Sequence, residues 1–211
     1  MEERETRTVR IVIPGSSSHE AFAAGTLTQL EWVEQCASRL GADGVLPALG
    51  DFPRTDTEYV AQLRKVCIDL GVVPFGIEVP GLLDPSTPDD AREAAFTLAS
   101  AFGALVIRTQ LPAPGEVPPA AFNQAVGLAK TTARAAKGVN VTLVVAAAAG
   151  TLGPDLAAVR HLAKDVDSAW LRPLPYADEL ALLGAKDRAP ASRARAGEPL
   201  PNLHGWAIVE G

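Results

Sequence analysis

The chain has 211 residues, 47% of them apolar and 21% charged, with a formal net charge of -6 and two cysteines. That balance belongs to a folded globular domain rather than a disordered segment. The negative charge argues against a broad phosphate-backbone footprint, so no nucleic-acid partner is expected. No apolar run approaches the roughly 20 residues needed to span a bilayer, and the charged start from Met1 to Arg10 leads into a short strand with no signal-peptide core. The expectation is therefore a cytoplasmic protein with no membrane partner.

In chain order, the first apolar run opens at Val9 (VRIVI) and meets the turn Pro-Gly-Ser-Ser-Ser-His, which carries no GxGxxG or phosphate-loop pattern. A helix follows, with Thr28 and Glu31 in a capping-box pattern and Leu27, Leu30, Val33, Ala37 and Leu40 on one apolar face. Further β-type runs open at Val45 (VLPAL), Val73 (VPFGIEV), Leu105 (LVIR), Val139 (VNVTLVV) and Ala169 (AWLRPL). A weaker run, WAIVE, begins at Trp206. Thr87-Pro88 and Gly153-Pro154-Asp155 read as helix starts, with a cap before a proline at the first helical position. Gly41, Gly71, Gly103, Gly138 and Gly184 sit where left-handed caps would end helices. Cys36 and Cys67 fall in helical patterns without CxxC spacing and read as packed, reduced thiols.

The runs recur at roughly the thirty-odd residues of a strand-helix unit and are continuously apolar, as strands covered on both faces should be. The fold class predicted is α/β, a parallel (β/α) TIM-type barrel. Such barrels run to about 250 residues and rarely below about 200. Six firm strands and one weak terminal strand therefore predict a barrel shortened at its C-terminal units. The expected organisation is a barrel domain over residues 1–184, an irregular Ala/Pro/Arg-rich segment over 185–205, and a terminal strand over 206–211 completing the same domain. The sole dense basic stretch, Arg188 to Arg195, lies in that irregular segment. Folding back of the tail beside the first strand, together with a homodimer interface, is expected to seal the gap.

Leu30 to Val45 (LEWVEQCASRLGADGV) resembles the first helix and second strand of the xylose-isomerase-like barrels, which include sugar phosphate isomerases and epimerases. Leu143 to Leu152 (LVVAAAAGTL) is similar to that family's fifth strand, whose usual run is close to L-A-L-E-N-H-P-G-T-L, and Asp155 to Asp167 to its next helix. The resemblance implies a metal-ligating Glu where this chain has Ala146 and an assisting His where it has Ala148. A metal-binding Asp is implied near the end of the next strand, which here reads Leu171-Arg172-Pro173-Leu174-Pro175. A hard divalent cation needs several convergent oxygen ligands, so no metal and no other cofactor is expected.

Barrel sites form at the carboxyl ends of the strands. The residues expected there are Ser16, Ser17 and His19 in the first turn, Asp51 after the second strand, Glu78, Arg108, Gln110 and Arg172. Glu78 and Arg108 stand on neighbouring strands and admit two readings. One is a buried ion pair; the other has Arg108 and Arg172 holding a carboxylate or phosphate while Glu78 moves a proton. Glu78 and His19 are the candidate catalytic residues; Arg108, Gln110, Arg172, Ser16 and Ser17 are the candidate substrate-binding ones. Asp51 reads as a turn or cap residue, and His161 and His204 as structural or exposed. The function expected is metal-independent acid/base chemistry, an isomerisation, elimination or cyclisation, on a small polar or anionic molecule. The alternative is a non-catalytic binding or scaffold protein on the same fold.

Overall fold

The structure is a computed structural model that describes residues 10–115, 118–174 and 206–208. The expectations for Gly184, the stretch from Arg188 to Arg195, His204 and the segment 185–205 lie outside these residues, as do residues 209–211 of the terminal run.

Every apolar run forms a strand. The strands are β1 (Arg10–Pro14), β2 (Gly44–Leu46), β3 (Val73–Pro74), β4 (Gly76–Glu78), β5 (Val106–Gln110), β6 (Thr142–Ala146), β7 (Leu171–Pro173) and β8 (Trp206–Ile208). All the pairings among them are parallel. The helices are α1 (His19–Ala23), α2 (Gln29–Ser38), α3 (Thr57–Asp69), α4 (Asp89–Phe102), α5 (Pro118–Gly138) and α6 (Leu156–Val166). Among the described residues no helix is long and apolar enough to cross a membrane.

The strands form two four-stranded ladders, β3-β2-β1-β8 and β4-β5-β6-β7. They join at Phe75, which donates its N–H to Val45 O at 3.0 Å and accepts from the N–H groups of Leu105 and Val106 at 2.9 and 3.2 Å. The run VPFGIEV is thus one interrupted strand. The curled sheet reads β8-β1-β2-β3/β4-β5-β6-β7, with β8 beside β1 in register Ile11 to Ala207. Between β7 and β8 the barrel is open among the described residues, which is the shortening expected from the strand count.

Side chains alternate across this sheet. Ile11, Ile13, Val45, Ile77, Ile107, Leu143, Val145 and Leu171 face the helices in the larger core. Val12, Leu46, Phe75, Val106, Val144, Ala146, Leu174 and Ile208 fill the barrel interior. Both faces are buried, so the sequence shows runs rather than alternation. Gly76 allows the closest approach inside: a Cβ there would stand 2.5 Å from Val106 O and 2.6 Å from Leu46 Cδ1.

Local signals are mostly met, with identifiable exceptions. Thr28 and Glu31 do form a capping box. Burial on α2, however, centres on Trp32, Val33 and Cys36, while Leu27, Leu30, Ala37 and Leu40 pack at its margin. Thr87 does not cap α4; Pro88 holds the cap position, and the Thr87 hydroxyl donates to Gly81 O at 2.7 Å. Pro154 does not open α6, because Asp155 is itself the cap and accepts from Ala158 N at 2.8 Å. Gly103 ends α4 in the left-handed region at φ 81°. Gly138 remains helical, and Asn140 takes the left-handed turn instead at φ 57°. A short polar side chain makes Asn the next best residue after Gly in that region.

Candidate functional site

The carboxyl ends of the strands bring the sequence-predicted residues to one end of the barrel. Register aligns Glu78 with Arg108, Arg108 with Val144, and Val144 with Arg172. Paired residues in a parallel ladder project to the same side. Val144 lies in the barrel interior, so this rung carries one carboxylate and two guanidinium groups on the inner face. Gln110, two residues beyond Arg108, stands on the same face opposite Ala146.

Glu78 and Arg108 form an ion pair, one of the two readings the sequence left open, with Arg108 Nη1 donating to Glu78 Oε1 at 2.6 Å. Glu78 is 5% exposed, and its Oε2 accepts from the backbone N–H of Ser16 at 3.2 Å. Both carboxylate oxygens are therefore engaged. The Ser17 hydroxyl donates to Pro14 O at 2.8 Å. The first turn thus spends one amide and one hydroxyl on the protein itself, and ties β1 to β4.

His19 and Asp51 give the arrangement that sequence reasoning missed. His19 begins α1, directly after the 3-10 turn that follows β1, and Asp51 ends the 3-10 turn that follows β2. His19 Nδ1 lies 2.5 Å from Asp51 Oδ1. The His side chain is 65% exposed and the Asp side chain 3%. Asp51 is a turn residue, as expected, and is in addition the buried partner of His19, a pairing the sequence did not suggest. A carboxylate only accepts, so Nδ1 donates, and the ring is the exposed member of the pair. The 32-residue separation hid the pair, and the one available signal was that both residues follow strand ends. The Asp51 Oδ2 atom is buried without a hydrogen-bond partner among the described residues.

Arg172 is the remaining charged residue on the rung. Its Nε is buried and also lacks a hydrogen-bond partner among the described residues. His161 lies elsewhere, on α6, near Asp165 at 3.3 Å and stacked on Phe122. A groove lined by Arg92, Phe96, Leu128 and Thr132 runs between α4 and α5, in the helix layer rather than at the strand ends.

Solved structures of the same architecture superpose on most of the chain. One is a xylose isomerase-like TIM barrel/4-hydroxyphenylpyruvate dioxygenase fusion protein, 16% identical with a TM-score of 0.61, covering 79% of this chain and 26% of that one. The chain has the fold of the xylose isomerase-like TIM barrels. A second such barrel is the probable 3-DHS dehydratase of petrobactin synthesis from Bacillus anthracis, 14% identical with a TM-score of 0.64, over 78% of this chain and 61% of that one. A third is D-psicose 3-epimerase in the presence of D-fructose, 15% identical with a TM-score of 0.60, over 78% and 62%. The chain thus spans less than two thirds of each of these three proteins. No family model matches the sequence, and no curated protein does.

The described residues do not fit the divalent metal that the resemblance to xylose isomerase-like barrels implies. Ala146 and Ala148 supply no donor, and Leu174 belongs to the apolar interior. The single carboxylate on the rung, Glu78, is held by a cationic guanidinium. Among the described residues no group of three His, Cys, Asp or Glu side chains is placed to hold a metal ion.

Proposed function

We propose that the open end of this barrel performs general acid/base chemistry on a small polar molecule without a metal, with His19 moving the proton and Asp51 orienting it. The observation that carries this reading is the 2.5 Å contact between His19 Nδ1 and the buried Asp51 carboxylate at the carboxyl ends of β1 and β2. A buried carboxylate fixes the ring and its tautomer, stabilises the imidazolium formed on proton capture, and leaves Nε2 as the base. Glu78 holds Arg108 in place, since both its oxygens are already bonded. It is a positioning residue rather than the base. Two of the structural neighbours are an epimerase, in the presence of D-fructose, and a probable dehydratase. An isomerisation or elimination beside a carbonyl suits the same apparatus.

The test is solvent-hydrogen exchange, with small hydroxy ketones, aldoses and hydroxy acids incubated in deuterated water with metal-stripped protein and read by NMR. Exchange at carbon should occur and be unchanged by added chelator. A general acid/base group contributes about 10²- to 10⁴-fold, so His19→Ala should lower the rate by that factor, and Asp51→Asn should lower it while the fold is retained. Absence of exchange with every compound, or a His19→Ala variant as active as the parent, refutes the proposal. The first outcome favours a non-catalytic binding protein on this fold.

A further inference from the structure

Among the described residues, the buried Nε of Arg172, on the inner face of the barrel, lacks an acceptor. Arg172 is the middle residue of β7, and its neighbours fix its direction. Leu171 packs into the core under the helices, whereas Val144, its register partner on β6, and Leu174, two residues on, face the barrel interior. Arg172 therefore projects inward on the rung that holds Glu78 and Arg108. One carboxylate against two guanidinium groups leaves one positive charge there. Both Glu78 oxygens already accept, one from Arg108 Nη1 and the other from the Ser16 N–H. Arg172 also lies three strand positions away from Glu78, across β5 and β6. The nearest acceptor expected from the resemblance would be a carboxylate on β6, and that position is Ala146, 6% exposed and apolar.

The guanidinium is consequently left with a buried Nε that no described residue accepts from. A buried charged donor without an acceptor is costly, and the Nε edge of a guanidinium presents two parallel N–H groups that match the two oxygens of a carboxylate. We infer that Arg172 anchors a monoanion subsite in the barrel mouth, which takes the carboxylate of a small organic acid against the guanidinium edge on β7. The net single positive charge of the rung selects a monoanion over a phosphate dianion. Gln110, on the same face opposite Ala146, offers an amide to a neighbouring hydroxyl or carbonyl of the acid. This names the substrate class of the site proposed above and rests on that reading for the chemistry, although the binding itself does not require His19.

The experiment is an NMR titration of the protein, following the Arg172 side-chain Nε–H resonance and, in every variant, the backbone amide resonances of β6 and β7, with glycolate as probe and glycolamide and inorganic phosphate as controls. Glycolate should shift the Nε–H resonance saturably, and glycolamide should leave it in place. A hydrogen bond to a charged group contributes about 1.5 to 3 kcal/mol, so Arg172→Met should weaken glycolate binding by about tenfold or more. Arg172→Lys, which retains charge but not the two-pronged edge, should also bind more weakly than the parent and serves if the Met variant does not fold. His19→Ala should bind glycolate as the parent does. Loss of hydrogen exchange in that variant with glycolate binding intact separates failure of the subsite from failure of the base. No saturable shift with glycolate overturns the inference. So does tighter binding of phosphate than of glycolate, or undiminished glycolate binding by both Arg172 variants.

Discussion

Replacing Arg108 by Met should be among the most damaging single changes at the strand ends, because it strands a buried carboxylate. Glu78 and Arg108 side chains are 7% and 15% exposed and meet at 2.6 Å. With about 4 Å between charge centres and an effective dielectric constant of about 20, their attraction is about 4 kcal/mol. Breaking a buried pair from one side typically costs about 3 to 5 kcal/mol, because the partner's desolvation is no longer offset. For a chain of this size 1 kcal/mol moves the midpoint by about 2 to 4 °C, so the variant should melt about 10 °C lower. The decisive variant is the double substitution Glu78→Gln with Arg108→Met. It removes both charges and leaves a neutral amide that can still accept from Ser16 N–H, so it should recover a large part of the loss. Urea unfolding of parent, both single variants and the double variant gives the coupling energy directly. A coupling below about 0.5 kcal/mol, the size of additivity error for independent sites, would refute the assignment of these residues as a buried, mutually dependent pair.

Gly76→Ala should cost at least as much as ordinary overpacking, about 1 to 3 kcal/mol, since its Cβ would meet backbone at Val106 O at 2.5 Å; a fully stable variant by urea unfolding would contradict the packing of β4 on β5. Burial pushes the thiols of Cys36 and Cys67 up to about 12. Both should resist a thiol-specific disulfide reagent at pH 8 in the native protein and react at once in denaturant, so stoichiometric native reaction would show that these helices are not packed as described. Asp84 is held below the usual carboxylate range first by the Ser86 hydroxyl and then by the Ser86 N–H. A lowered folded-state value means that its contribution is present above the unfolded value of 3.8 and is lost as pH falls through the lower folded value. Asp84→Asn should therefore cost stability at neutral pH and flatten the loss below about pH 4; parallel pH-stability curves for variant and parent would count against it.

The elements and their order were legible in the sequence because they rest on local rules. Continuous apolar runs such as VRIVI and VNVTLVV mark strands covered on both faces, and the Thr28 and Glu31 capping box needs no tertiary partner to be recognised. The pairing of Glu78 with Arg108 was also readable, since neighbouring strands bring residues at matching depth together and charge inside an apolar strand calls for a counter-charge. Exact helix starts were not. Thr87 and Pro154 had the right chemistry, but capping depends on where the chain turns, and Pro88 and Asp155 took the cap positions instead.

Only the tertiary structure decided the site. His19 and Asp51 are 32 residues apart with no periodic relation, and nothing short of the barrel's closure of β1 onto β2 puts one beside the other. Arg172 looked equivalent to Arg108 as an anion holder, until the structure showed Arg108 paired with Glu78 and the Arg172 Nε without an acceptor among the described residues. Strand identity follows from hydrophobic pattern along the chain, which each segment carries in itself. Which polar groups find partners and which are left over is a property of distances between segments, and those exist only once the sheet has curled.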